Sequence, residues 1–503
     1  FFLLAVGIMG RVSPTEAALT EVSELLMKVT TEFNKFGMSK AKLNDPECSV
    51  TKLYSAIDKL IIRQRKGAGL REQKDSSECI EPFFKWLNEN GLDVGSLPFE
   101  IQQGLVEGSG LVATKDIEEK ECLLSIPSNL IMSTKTADKS VVNQLNVDAI
   151  KRMPSVKLAV FLVLEKHKSK SFWKSYIDTL PRTLDLPMFW TAEELSILKG
   201  TSSFASAIQH QINTLMQYFR IRQELMAKGT TQELASFTYE EYRWAVGIIM
   251  SRQNFVPVDD KPQICLIPLW DMLNHDEGEV STFYNKEEDV TQSFAMRNFA
   301  KGDQLFIYYG ERPNSMFVLY QGFYFPRNSY RVLNSYYQIL NPEDKFVKAK
   351  EVFLMKHKLQ SAQVCIESNN EDVSTWKTMT TMRTAVATME ELKTQNGMED
   401  PIGKEISLAN EEKAVDLLIK ALEYVKEWKE NEYVTVVEDN NNYHKRMAIL
   451  LREEEEDTLS NGVKLAQAYR TKLKKRQRRS KQKAKKKAKK TEEKMMETCY
   501  DLD

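Results

Sequence analysis

The chain has 503 residues, enough for two or three domains with sizeable cores. An apolar share of 42%, a mean hydropathy of −0.43 and the lack of any apolar run near the roughly 18 residues of a membrane span argue against a membrane protein. Six scattered cysteines with no C-x-x-C pair, and five histidines that cluster with none of them, argue against a disulfide framework or a structural zinc and for a reducing compartment.

The net charge of −1 hides an asymmetry: residues 470–490 hold fourteen Lys/Arg and no acid, which leaves −15 on the rest. At the other end, F-F-L-L-A-V-G-I-M reads either as the end of a signal h-region or as leader ahead of an initiator at Met9. The second is expected, because nothing downstream reads as secreted. Within residues 1–95, a helical arm follows this leader. Leu19, Val22, Leu25, Leu26, Val29 and Phe33 share helical spacing, as do Leu53, Ile57, Leu60 and Ile61. A short helix over Pro82–Asn90 stops at Gly91.

Residues 96–134 change to strands, and Gly108-Ser-Gly110 bends the backbone while removing side chains that would block a ligand. Residues 135–245 return to helices. Leu158–Glu165 is apolar, Phe172-W-K-S-Y-I-D-T-L ends at Pro181, Thr191 with Glu194 reads as a capping box, and Ile208, Ile212, Leu215 and Phe219 share one face. Strands resume in 246–330, so the helical block reads as an insertion. Residues 331–451 are expected to be helical, with Asn410 capping E-E-K-A-V-D-L-L-I-K-A-L. The charge-dense tail, 452–503, reads as a solvated helix or as disorder.

Three short segments concentrate amide, imidazole, indole and phenol groups: R252-Q-N254, W270-D-M-L-N274-H275 and I307-Y-Y309-G310. The first closes a helix opened by Thr238 and Glu241 as a capping box. The second follows the buried strand I264-C-L-I-P-L, which is expected to run straight into it. The third ends a strand at a glycine. Taken singly, each has a plainer reading: Gly108 and Gly110 as a hairpin turn, His275 as a core histidine, Asn254 as a helix C-cap, Trp270 and Tyr309 as core aromatics.

In order and spacing, E107-G-S-G110-L-V-A, N274-H275 and Y309-G310 resemble the SET-domain methyltransferases. The helical insertion and the helical C-terminal region are similar to the branch typified by Rubisco large-subunit methyltransferase. Within it, S-R252-Q-N254 and L-I-P-L-W270-D-M-L-N-H resemble the actin-histidine N-methyltransferases, over about Val12 to Lys475. The resemblance implies an α+β fold: a SET β-fold split by a helical insertion and followed by an all-helical substrate-binding domain. It implies S-adenosylmethionine as cofactor, held by Glu107, Gly108, Ser109, Arg252, Asp271, Met272, Leu273, Asn274, His275 and Gln321.

By the same resemblance Tyr309 and Asn254 are catalytic, and Asn254, Trp270, Arg312 and Gln217 contact the substrate, actin. A histidine acceptor suits an amide. Imidazole, with a pKa of about 6.5, already offers a lone pair at neutral pH, so the remaining task is to fix its tautomer. Asn254 can accept the proton-bearing nitrogen while Trp270 walls the slot. Three positions depart from the family: Ser109 replaces an aromatic, Gln321 a smaller polar residue, and Ser76 an arginine for which Arg71 or Lys74 could substitute. The other readings are a lysine methyltransferase of the same fold, or a silent SET scaffold whose basic tail, 470–490, meets a polyanion or a nuclear importer. A monomer in the cytoplasm, with the nucleus as a second location, is expected.

Overall fold

The computed structural model describes residues 13–36, 43, 45–68, 76–258, 261–367, 369–434 and 442–500. Met9, the leader before it, Arg71 and Lys74 lie outside the described residues. The chain forms two compact units, Phe1–Ser196 with Ser203–Phe325, and Ile197–Ser202 with Pro326–Asp503.

In the first unit, helices α1 (Pro14–Phe36) and α2 (Ser49–Ala68) pack along the stripes marked by helical spacing, with Leu19, Val22 and Val29 meeting Leu53, Ile57 and Leu60 in a buried seam. Helix α3 (Ser76–Glu89) starts six residues ahead of Pro82 and stops where Gly91 turns to φ +101°. Strands β1 (Phe99–Leu105), β2 (Gly108–Ala113), β3 (Cys122–Pro127) and β4 (Met132–Ser133) precede the helical insertion. The insertion comprises α4 (Thr134–Ala137), α5 (Asp148–Arg152), α6 (Pro154–His167), α7 (Lys174–Thr179), α8 (Ala192–Ile197), α9 (Phe204–Ala227), α10 (Thr231–Ser236) and α11 (Tyr239–Arg252). Helix α6 is buried without a break from Leu158 to Val163, as an interior helix must be to dispose of apolar residues all round.

Then come β5 (Asn254–Val258), β6 (Lys261–Leu266), β7 (Asn274–His275), β8 (Thr282–Asn285), β9 (Val290–Phe294), β10 (Gln304–Ile307) and α12 (Asn314–Tyr320). The sheets run β1-β2-β10-β7, β3-β9-β8 and β4-β6-β5. All pairings are antiparallel except β10 with β7, which is parallel.

Thr191 and Glu194 make the expected reciprocal bonds, at 2.9 and 3.2 Å. Thr238 caps the Glu241 N–H at 3.2 Å, but the Glu241 carboxylate turns to Lys166 at 2.8 Å instead of closing the box. The strand β6 does not run straight into Trp270. It stops at Leu266, and the chain reverses at Leu269, whose φ of +64° and ψ of −47° bring the Trp270 N–H onto the Pro268 carbonyl at 2.8 Å. This is a γ-turn of the rare, strained hand.

The second unit adds β11 (Val332–Tyr336), α13 (Val347–Lys356), β12 (Gln363–Glu367), α14 (Lys377–Val386), α15 (Met389–Asn396), α16 (Leu408–Glu432) and α17 (Tyr443–Tyr500). It is helical apart from the antiparallel ribbon β11–β12, whose Leu333, Val364 and Ile366 enter the same core as Trp376, Val415, Leu418 and Leu422. Asn410 is not a cap. Ser407 caps α16 by accepting the Asn410 N–H at 3.0 Å, and the buried Asn410 amide donates to the Arg383 carbonyl at 3.0 Å. Nor is everything beyond Arg452 a solvated tail: Leu459, Ala466 and Leu473 of α17 are buried in the core.

Candidate active site

Helix α11 delivers the first group. It ends at Arg252 because Gln253 leaves helical backbone (ψ 140°), and Asn254 opens β5 opposite Cys265. The Arg252 guanidinium donates through Nη1 to the Asp271 carbonyl oxygen, while its Nε is buried with no hydrogen-bond partner among the described residues. The Asp271 carboxylate, also buried, accepts the Tyr176 hydroxyl at 2.6 Å. Burial pushes the Asp271 carboxyl up, and Arg252 and Tyr176 counter it. Burial, reinforced by Asp271, holds Tyr176 well above the usual phenol range, so it remains a donor.

The γ-turn at Leu269 aims Trp270, whose indole Nε1–H donates to the Thr282 hydroxyl at 2.8 Å. A buried non-glycine residue at φ +64° costs on the order of 1–3 kcal/mol, and such strain is found where a side chain must be re-aimed. Met272 closes the single 3-10 turn that follows.

The parallel pairing of β7 with β10 sets the rest. It aligns Asn274 with Phe306 and His275 with Ile307. From there the Asn274 amide donates to the Ser109 carbonyl at 3.0 Å, the Tyr309 N–H donates to His275 Nδ1 at 3.2 Å, and the Tyr309 hydroxyl donates to the Leu273 carbonyl at 2.7 Å. The His275 ring lies among Phe317, Phe325 and Tyr309, with centroids at 4.7, 4.9 and 5.1 Å. Burial lowers its pKa to about 4, so the imidazole is neutral, with Nδ1 as acceptor and the proton on Nε2. Burial likewise lifts Tyr309 to about 12, which keeps its hydroxyl protonated. Gly310 follows at φ +98°, letting the strand turn away.

Glu107 sits in the exposed turn joining β1 to β2, and its charge contributes to raising Tyr309. Gly110 is buried, and a Cβ on it would come within 2.9 Å of Gln304 Nε2 and 3.0 Å of Asn274 Nδ2. Gln321, at the end of α12, orients its amide oxygen to Arg312 Nη1 at 2.6 Å and its nitrogen to the Met316 carbonyl at 3.2 Å. The Asn254 side-chain oxygen accepts the neighbouring Phe255 N–H at 2.8 Å.

Arg252, Asp271, Leu273, Asn274, His275 and Tyr309 are therefore brought together beside Ser109 and Gly110, with Asn254 and Trp270 each next to the Arg252–Asp271 bond along the chain. Gln217 is not among them. It accepts the Tyr242 hydroxyl at 2.9 Å, ten residues or about 15 Å along α11 from Arg252. Sequence reasoning missed Tyr176, which lies unmarked inside the segment that ends at Pro181, and the turn at Leu269; neither carries a local signal.

Comparison with known proteins bears on the family and the fold. The SET domain family matches residues 108–310, and the Rubisco LSMT substrate-binding family matches residues 341–500. The actin-histidine N-methyltransferase of Mus musculus is 32% identical over 413 residues, covering 81% of this chain and 68% of that protein. The one from Rattus norvegicus is 35% identical over 331 residues, 64% of this chain and 54% of that protein. The chain thus spans about half to two thirds of the length of these relatives. The structure of Rubisco LSMT bound to AdoMet superposes with a TM-score of 0.63 at 21% identity, covering 78% of this chain and 93% of that one, which shows the shared fold. The resemblance read from the motifs is borne out, and the chain belongs to the SET-domain methyltransferases that carry a Rubisco LSMT-type substrate-binding domain, the family of the actin-histidine N-methyltransferases.

Proposed function

We propose that this chain is a protein-histidine N-methyltransferase that methylates a ring nitrogen of a histidine in actin, with S-adenosylmethionine as donor. The observation that carries the acceptor is Asn254, an amide at the head of β5 and two residues past Arg252, where a lysine-specific relative would be expected to favour an aromatic cage. Identity of 32–35% to relatives named for that reaction supports the substrate.

The residues present fit the cofactor. The unpartnered Arg252 Nε is a buried cationic donor suited to a carboxylate, and the Leu273 carbonyl with the Tyr309 hydroxyl offers oxygen atoms suited to a cationic sulfonium. When bound, S-adenosylmethionine supplies a methyl whose S–CH3 bond breaks, electrons staying on sulfur, as the imidazole lone pair forms the N–CH3 bond; the other ring nitrogen then gives its proton to water.

The chain's own residues do the positioning. With one lone pair of Asn254 Oδ1 on Phe255, the second remains for the substrate's ring N–H, which fixes the tautomer so that the opposite nitrogen is the nucleophile. Trp270, anchored through its indole nitrogen, walls the imidazole. Neutral His275 does not act as a base; it holds the Tyr309 backbone and thereby the hydroxyl on Leu273. Such alignment is the main lever available to an in-line displacement.

The test is incubation with methyl-labelled S-adenosylmethionine and actin, the label being located by mass spectrometry. Methyl on one actin histidine, reduced about a hundredfold in Asn254→Ala and Tyr309→Phe, is expected. Label on lysine, or full activity of Asn254→Ala, would overturn the acceptor.

A further inference from the structure

Methyl transfer makes no use of the end of α17. That helix seats on the second unit through Leu459, Ala466 and Leu473, buried and spaced seven residues apart. The next position of that seam is Ser480, so the apolar contact stops, and no residue from 474 to 486 is buried. Over residues 474–490 the sequence has twelve Lys/Arg and no Asp or Glu. Arg476 is engaged by Glu405 at 2.7 and 3.0 Å, whereas Lys474, Lys475, Arg478, Arg479, Lys481 and Lys483 are exposed and make no ion pair among the described residues.

Charge density and shape both identify a partner. Seventeen helical residues extend about 25 Å, so the arm carries one positive charge per about 2 Å, close to the one negative charge per about 1.7 Å of duplex DNA. Cations recur at i, i+3 and i+4 around about two thirds of the circumference, all but the stripe of Gln477, Ser480, Ala484 and Ala488, a pattern that repels itself and is relieved only by anions on more than one side. The major groove offers that arrangement. Its width of about 12 Å admits a helix of about 10–12 Å, with phosphates on both flanks. A flat acidic protein face would neutralise one flank only. Between Tyr469 and Tyr500 there is no aromatic residue, so base stacking does not contribute.

We propose that residues 474–490 are a sequence-independent binding arm for duplex DNA, lying as a helix in the major groove and held by phosphates on either side. The test measures fluorescence anisotropy of a labelled mixed-sequence DNA duplex with the full chain, and with a variant carrying Lys474, Lys475, Arg478, Arg479, Lys481 and Lys483→Gln. These positions leave the Leu473 seam and the Arg476–Glu405 pair intact.

Affinity of the native chain should fall about a thousandfold between about 50 and 200 mM salt, and the variant's salt slope should be shallower by about 5. The variant should keep its melting temperature and methyl transfer. Lack of duplex binding at low salt, an unchanged slope in the variant, equal binding of a single strand of the same length, or arm-dependent co-sedimentation with actin filaments in place of duplex binding would each overturn the assignment.

Discussion

Tyr176 reaches Asp271 from 95 residues away, and no atom of it is exposed. Its hydroxyl and Arg252 together offset the burial of the Asp271 carboxylate, so Tyr176 is a positioning residue for the proposed cofactor site through Asp271. Tyr176→Phe leaves a buried carboxylate oxygen without its donor, at a cost of about 1–3 kcal/mol. The dissociation constant of S-adenosylhomocysteine, measured by calorimetry, should rise about tenfold; a lower melting temperature with unchanged affinity would reduce Tyr176 to packing. His275 gives a pH signature. With a folded pKa of about 4 against about 6.5 unfolded, the unfolded chain takes up a proton first as pH falls. The contribution of this residue is therefore complete above about pH 6.5 and is lost toward pH 4, by about 3–4 kcal/mol in total. Urea unfolding from pH 7.5 to 4.5 should show that slope in the native chain and a shallower one in His275→Leu; equal slopes would mean that another group carries the acid limb.

At the scale of elements, β2 meets β10 and the Asn274 amide closely enough that Gly110 has no room for a side chain. Gly110→Ala must displace the side-chain ends of Gln304, Leu105 and Asn274, and is expected to loosen the Asn274–Ser109 bond at a cost of about 1–3 kcal/mol, with cofactor affinity falling alongside stability. A melting temperature within error of the native value would show that the neighbours yield freely. Such elements were partly legible in the sequence. Helical spacing found α1, α2, α9 and α16, and glycines bounded by apolar runs found the β1–β2 hairpin, because these signals are local; the bend itself falls at Val106–Glu107, and Gly108, Ser109 and Gly110 pair with β1 inside β2 instead of forming the turn. The ribbon β11–β12 escaped, since Val332 pairs with Glu367 across a helix and no local period marks a non-local pair. Helix α17 looked like a tail because Leu459, Ala466 and Leu473 are lone apolar residues among charges, and they become a core seam only when α16 supplies its other half. Asn410 resembled a cap by type, yet Ser407 stands three residues earlier and the Arg383 carbonyl claims the Asn410 amide. At the site, order and spacing revealed the Asn274–His275 and Tyr309 segments, whereas Tyr176 and the positive φ of Leu269 depend on tertiary contacts that a one-dimensional pattern does not encode.

In the whole molecule, six residues of the helical insertion, Ile197–Ser202, belong to the second unit. A buried ion pair fixes them there. Lys429 Nζ donates to Glu455 at 2.5 Å and to the Gly200 carbonyl at 2.7 Å, and Glu455 accepts the Ser202 N–H at 3.1 Å and its hydroxyl at 2.5 Å. Gly200 is required at the contact, since its φ is +83° and a Cβ would stand 2.7 Å from the Tyr433 ring. Both charges are almost fully buried, so removing one leaves the other unpaired in a low-dielectric setting, a loss of about 3–5 kcal/mol. Lys429→Met should therefore release the segment as well as destabilise the unit. Lys199, which pairs with Glu432 at 2.7 Å in the native chain, then becomes available to trypsin, while cleavage in the basic arm continues in both proteins. Pairing Lys429→Met with Glu455→Leu removes the stranded charge and should recover part of the stability, yet leave Lys199 open, because Gly200 and Ser202 still lack their anchors. Protection of Lys199 in the single variant, or a stability loss below about 1 kcal/mol, would mean that apolar burial of Ile197 and Leu198 seats the segment without the ion pair.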